Sequence, residues 1–134
     1  MTYQRPRHDR VSTSMSRELL LCAPGDLLTD AAHRMAERRV GAILVTEGDR
    51  LVGIMTERDV LRAVGGGDIS GRVGEWMSHD PLTVDSAASN GEAAMLMVHG
   101  GFRHVPIVDD GALVGIVSIR DLMRLPGDST PKGV

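Results

Sequence analysis

The chain repeats itself. Shifted by 62 positions, Val11 to Val64 falls on Val73 to Pro126 without a gap. Fourteen positions are identical, among them Val11/Val73, Met15/Met77, Ala31/Ala93, Met35/Met97, Gly53/Gly115 and Asp59/Asp121. The tightest stretch sets LVGIMTERDVLR against LVGIVSIRDLMR. Such a repeat means one supersecondary unit made twice. A single copy of about 54 residues buries little surface and is marginal alone. The whole chain of 134 residues therefore holds one small domain of two packed copies, not two ordinary domains. Packing about a pseudo-twofold axis would create two equivalent clefts between the copies, a natural place for a small molecule.

Within each copy the hydrophobic period alternates. Asp26 to Arg38 reads as an amphipathic helix with Leu27, Leu28, Ala31, Ala32 and Met35 on one face. Val40 to Val45 and Leu51 to Met55 read as strands joined at Gly48-Asp49, and a second helix starts at Thr56. The second copy repeats this order: a helix over Ser89 to His99, strands over His104 to Val108 and Leu113 to Val117, a turn at Asp110-Gly111, and a helix from Ser118. Leu20 to Ala23 and Leu82 to Asp85 can each add an early strand. The fold class is α/β (α+β). The join at residues 65–72 is rich in glycine and reads as a flexible linker. Residues 1–10 and 127–134 lack an apolar period and read as disordered tails.

Composition narrows the function. The net charge of −3 gives no basic footprint for nucleic acid, and Tyr3, Trp76 and Phe102 are too few for base stacking. No apolar run reaches the roughly 18 residues needed to span a bilayer. The N-terminus lacks the apolar core of a signal peptide, so cytoplasm is the expected compartment. Cys22 is the only cysteine and reads as a small buried hydrophobe. The five histidines form no ligand-spaced pair, which argues against a metal site. Asp109-Asp110-Gly111 fits a hairpin turn better than a calcium loop. No nucleophile and base stand in a motif, and the chain reads as a non-enzyme.

Thr56-x-x-Asp59 and Ser118-x-x-Asp121 support two readings. As helix N-termini, Thr or Ser caps the first turn and the acid three residues on completes a capping box. Alternatively the carboxylate accepts from the vicinal hydroxyls of a ribose, as an acid does in dinucleotide folds.

At these residues the sequence resembles a cystathionine-β-synthase (CBS) domain pair, or Bateman module. The likeness rests on VGAILVTEGDRLVGIMTERDVLR and FRHVPIVDDGALVGIVSIRDLMR, each with a Gly-hydrophobic-x-Thr/Ser-x-x-Asp signature. The resemblance implies two β-α-β-β-α repeats and an adenosine-containing regulatory ligand: AMP, ADP, ATP, NAD or S-adenosylmethionine. It also implies a homodimer that acts on a protein partner. One cleft would combine Leu20, Gly41 and Ile43 with Ser118, Arg120 and Asp121, and Arg103 and His104 would face phosphate. The other would combine Leu82, Phe102 and Val105 with Thr56, Arg58 and Asp59. Gly41 and Ala42 stand at its phosphate-facing positions and offer no cation, so a phosphorylated ligand should prefer the Asp121 cleft. Arg103 as an ordinary surface arginine is the alternative. The first copy also departs from the family with Ala42-Ile43-Leu44 where many members carry a proline, as the second copy does at Pro106. A ligand-free dimerisation or interaction module, with the motifs serving only as caps, is the competing function.

Overall fold

The computed structural model describes residues 9–124. In chain order the elements are α1 (Val11–Ser14), β1 (Leu21–Cys22), α2 (Leu28–Arg38), β2 (Ala42–Glu47), β3 (Arg50–Thr56), α3 (Glu57–Gly65), α4 (Val73–Trp76), β4 (Ser78–His79), α5 (Asn90–Gly100), β5 (His104–Asp109), β6 (Ala112–Ser118) and α6 (Ile119–Leu122). The backbone divides into two compact units. One is Glu18–Pro81, and the other joins the segment ending at Arg17 to the chain from Leu82 onward. Residues 1–8 and 127–134 of the expected tails lie outside the described residues, whereas Arg10 pairs antiparallel with Ser89.

The unit Glu18–Pro81 carries a four-stranded sheet in the order β1-β2-β3-β4. β1 runs parallel to β2, and the other pairs are antiparallel. Helix α2 starts at Leu28, two residues later than its apolar period suggests. Asp26 spends its carboxylate on the Ala23 N–H at 2.9 Å, and Leu27 is extended and bridged to Arg72. β2 and β3 turn through Gly48 and Asp49. Only Gly48 has positive φ, at the first central position, as a type II′ turn requires. Cys22, Leu28, Ala31, Met35, Ile43, Val45, Met55 and Ala63 close an aliphatic core with Val73 and Met77.

The other unit rebuilds this pattern around the hairpin β5-β6. Its core joins Val11 and Met15 to Ala93, Met97, Val105, Ile107 and Val117. Both hairpins are bulged at the same place, between Val45 and Thr46 and between Ile107 and Val108. The early strand expected over Leu82 to Asp85 shrinks to one parallel bridge, Val84 to Ile107. Proline explains the loss. In the first unit the Leu44 N–H donates to the Leu20 carbonyl at 2.9 Å, while the equivalent Pro106 has no N–H to offer Leu82.

The units do not coincide with the sequence repeats. The segment that opens the first copy, Val11 to Arg17, belongs with the strands of the second. Ser16 exchanges both backbone hydrogen bonds with Ile116, at 2.8 and 3.0 Å. The segment that opens the second copy, Val73 to Pro81, closes the sheet of the first, with Ser78 opposite Ile54. Each copy thus pairs its opening segment with its neighbour's sheet, through β4 in one unit and the Ser16 bridge in the other.

The glycine-rich join is pinned by hydrogen bonds. The Gly66, Gly67 and Asp68 N–H groups donate to Arg62, Val64 and Ala63, and the Gly71 carbonyl accepts from Leu28 at 3.0 Å. Among the described residues no helix is long and apolar enough to cross a membrane.

Candidate functional site

Two equivalent corners form where the first hairpin strand of a unit begins and the helix after the second strand starts. In the unit Glu18–Pro81 the Glu57 N–H donates to the Gly41 carbonyl at 3.0 Å. This contact, with Ala42 paired to Thr56, sets Gly41 beside the α3 N-terminus that carries Thr56, Arg58 and Asp59. In the other unit the Ile119 N–H donates to the Arg103 carbonyl at 2.8 Å, and His104 pairs with Ser118. Arg103 and His104 therefore stand next to Ser118, Arg120 and Asp121. Arg58, Arg103 and Arg120 are exposed, and Asp59, Ser118 and Asp121 are buried.

Both corners hold the acid half of a capping box, and the Ser118 corner also holds the hydroxyl half. Asp59 Oδ2 accepts from the Thr56 N–H at 2.9 Å and from the Thr56 hydroxyl at 3.2 Å. Asp121 Oδ2 accepts from the Ser118 N–H at 2.8 Å, and the Asp121 N–H donates to Ser118 Oγ at 3.1 Å. A carboxylate offers about four acceptor positions. Capping is therefore compatible with a further donor such as a ribose hydroxyl.

The remaining expected residues divide. Leu20, half-buried, lies where the chain enters β1, and its carbonyl is bonded to Leu44. Phe102 is half-buried and Leu82 exposed. Ile43 and Val105 have fully buried side chains in the two aliphatic cores. Strand alternation turns both inward, so as lining positions they offer backbone and not side chain.

Sequence reasoning passed over Arg62. Its Nη1 donates to Asp59 Oδ1 at 2.8 Å, and its guanidinium lies 5.6 Å from the centroid of the Trp76 ring. The signal was available, because Arg62 and Arg124 are identical under the repeat and stand one helical turn after each aspartate. In the second unit Arg124 Nη2 lies 3.8 Å from Asp121 Oδ1.

Among the described residues no group of three or more His, Cys, Asp or Glu side chains could hold a metal ion. The buried Cys22 thiol is pushed up from 9.0 to about 11, chiefly by desolvation, with Asp26 adding to the rise and Arg34 opposing it. It is therefore a protonated core group near neutral pH.

The family profile described as the CBS domain matches the chain twice, over residues 10–66 and 73–128. The chain belongs to the CBS-domain family. A 17.7 kDa Acidianus ambivalens protein is 37% identical over 117 residues, covering 86% of this chain and 71% of the relative. The mitochondrial CBS domain-containing protein CBSX3 of Arabidopsis thaliana is 35% identical over 113 residues, covering 78% of this chain and 55% of its own length. This CBS pair thus spans about half of that plant relative. Among solved structures, the CBS domain protein PAE2072 from Pyrobaculum aerophilum, complexed with AMP, superposes with a TM-score of 0.81 at 32% identity. That match covers 87% of this chain and 92% of PAE2072.

Proposed function

We propose that this CBS pair is a regulatory module that binds an adenosine nucleotide at the Ser118/Asp121 and Thr56/Asp59 corners. The observation that carries the reading is local. Each corner sets a buried carboxylate at a helix start beside a strand entry, where a ribose would find an acceptor close to an exposed arginine, Arg58 in one corner and Arg103 and Arg120 in the other. The AMP complex of PAE2072, a relative of nearly the same length, supports adenosine as the ligand class. Arg103 and His104 flank the Asp121 corner, and Gly41 and Ala42 occupy the matching places in the other. Phosphorylated ligands therefore favour the Asp121 corner. The module transmits binding by a coupling free energy to a protein partner and does not catalyse a reaction.

It acts as a homodimer. The outer face of α5 supports this, because Met95 and Val98 are 56% and 72% exposed on a helix whose inner face is already buried. A helix apolar on both sides is one that is covered. Sedimentation of the wild type against a Met95→Glu, Val98→Glu variant checks this, and a monomeric wild type refutes it.

The capping hydrogen bonds favour a second reading, in which the motifs serve the helices alone and the module only docks a partner. Calorimetry and thermal shift on nucleotide-free protein with AMP, ADP, ATP, NAD and S-adenosylmethionine separate the two. A ligand at 100 times its dissociation constant adds about 2.7 kcal/mol of stability. Absence of heat and of any shift across that panel refutes the nucleotide reading.

A further inference from the structure

The Asp59 corner contains a contact that a ligand would have to disturb. Asp59 Oδ2 is committed to Thr56, so a ribose hydroxyl approaching the carboxylate meets Oδ1. There the Arg62 guanidinium already donates at 2.8 Å. The Asp59 side chain is only 7% exposed, whereas that of Arg62 is 58% exposed. The arginine is thus a solvent-side partner of a buried acid, and it can swing away without unpacking the core.

Arg62 is also tied outward. Its guanidinium lies against Trp76, and the Trp76 indole N–H donates to Asp68 Oδ2 at 2.9 Å. Asp68 sits in the glycine-rich join, where its carboxylate packs so closely on Gly71 that a Cβ there would lie 2.5 Å away. A chain of contacts therefore runs from Asp59 through Arg62 and Trp76 to the segment linking the two copies. The position equivalent to Trp76 in the other copy is Ser14, so the aromatic member belongs to this corner alone.

We propose that Arg62 sets the ligand affinity of the Asp59 corner by latching the carboxylate, and that displacement of the latch is read at Trp76. The inference rests on the nucleotide reading above. A donor arriving at Oδ1 competes with a charge-assisted hydrogen bond and a guanidinium–indole contact. Its arrival loosens Arg62 from Trp76 and frees the indole's side of the join to reorient. This distinguishes a latch from a brace: removing a brace weakens ligand binding, and removing a latch strengthens it.

Trp76 is the only tryptophan in the chain, so its emission reports this place directly. AMP and adenosine are titrated into nucleotide-free wild type and Arg62→Gln, each followed by calorimetry and by tryptophan emission excited beyond the purine absorption. Wild type should show an emission change that saturates with the calorimetric isotherm. Arg62→Gln should bind about threefold to tenfold more tightly at the responding site, the scale of one hydrogen bond. Its emission without ligand should resemble that of the liganded wild type. Arg62→Lys, which keeps the cation, should restore much of the wild-type affinity and guards against a general packing effect. Heat of binding with unchanged Trp76 emission, or equal or weaker affinity in Arg62→Gln, overturns the latch and leaves the nucleotide reading standing. Absence of heat with either ligand overturns both.

Discussion

Gly53 lies directly under Met77. A Cβ built on the glycine would sit 2.5 Å from the methionine sulfur and 3.0 Å from the Ser78 carbonyl oxygen. The same relation recurs in the other unit, where a Cβ on Gly115 would meet the Met15 sulfur at 2.6 Å and the Ser16 carbonyl oxygen at 3.0 Å. The repeated glycine of the LVGI motif is thus the seat for the segment each copy lends to the other's sheet. Gly53→Ala and Gly115→Ala should each destabilise the protein by about 1–3 kcal/mol, the scale of overpacking against a methionine and a backbone that cannot both retreat. Chemical denaturation measures this. A loss within error of zero would show that the crossing strand is free to shift.

Arg39 ends α2 in the left-handed region with φ 55°, where the other unit has Gly101 with φ 72°. A side chain there costs roughly 1–2 kcal/mol, and glycine does not incur it. Arg39→Gly should therefore stabilise the protein by about 1 kcal/mol and raise Tm by a few degrees. Gly101→Ala should do the reverse. Paired thermal melts of the two variants check both signs.

Cys22 couples stability to alkaline pH. Its folded pKa, about 11, lies above the ordinary 9.0, so between these values the folded state holds the proton that the unfolded state has released. Stability then falls as pH rises through that window and is unaffected by this group below it. Cys22→Ala should remove that component of the alkaline decline, seen as a flatter plot of unfolding free energy from pH 9 to 11. The native thiol should also resist alkylation near neutral pH and react freely in denaturant.

Ser118 supplies a cap whether or not a ligand binds. Ser118→Ala forfeits the 3.1 Å bond from the Asp121 N–H and should cost about 1 kcal/mol in nucleotide-free protein. Thr56→Ala forfeits only the 3.2 Å bond from its hydroxyl to Asp59 Oδ2 and should cost less. Chemical denaturation without nucleotide measures the cap alone, and an unchanged midpoint would contradict the capping geometry.

Much of the architecture was legible in residue order. The offset of 62 gave the duplication, the alternating periods gave both hairpins and the helices α2, α3, α5 and α6 but not the single turns α1 and α4, and Ser118-x-x-Asp121 announced the cap that the structure contains. These features are local: a hydrophobic period, a turn glycine and a capping box act over a few residues, and the chain spells them out. The absent donor at Pro106 was also written there, although its effect on the Leu82 strand appears only beside the Leu44 to Leu20 bond it fails to copy.

The sequence by itself determined the repeat, the order of its elements and the two capped acids. Only the tertiary structure decided which copy each opening segment joins. Both copies present the same strand edge with the same glycine under the same methionine, so self-closure and exchange satisfy an identical local pattern. The choice is made by chain path and packing, which place Met15 over Gly115 and Met77 over Gly53. For the same reason the Arg62–Trp76 contact was invisible in the repeat: its two residues come from different copies and meet only after that exchange.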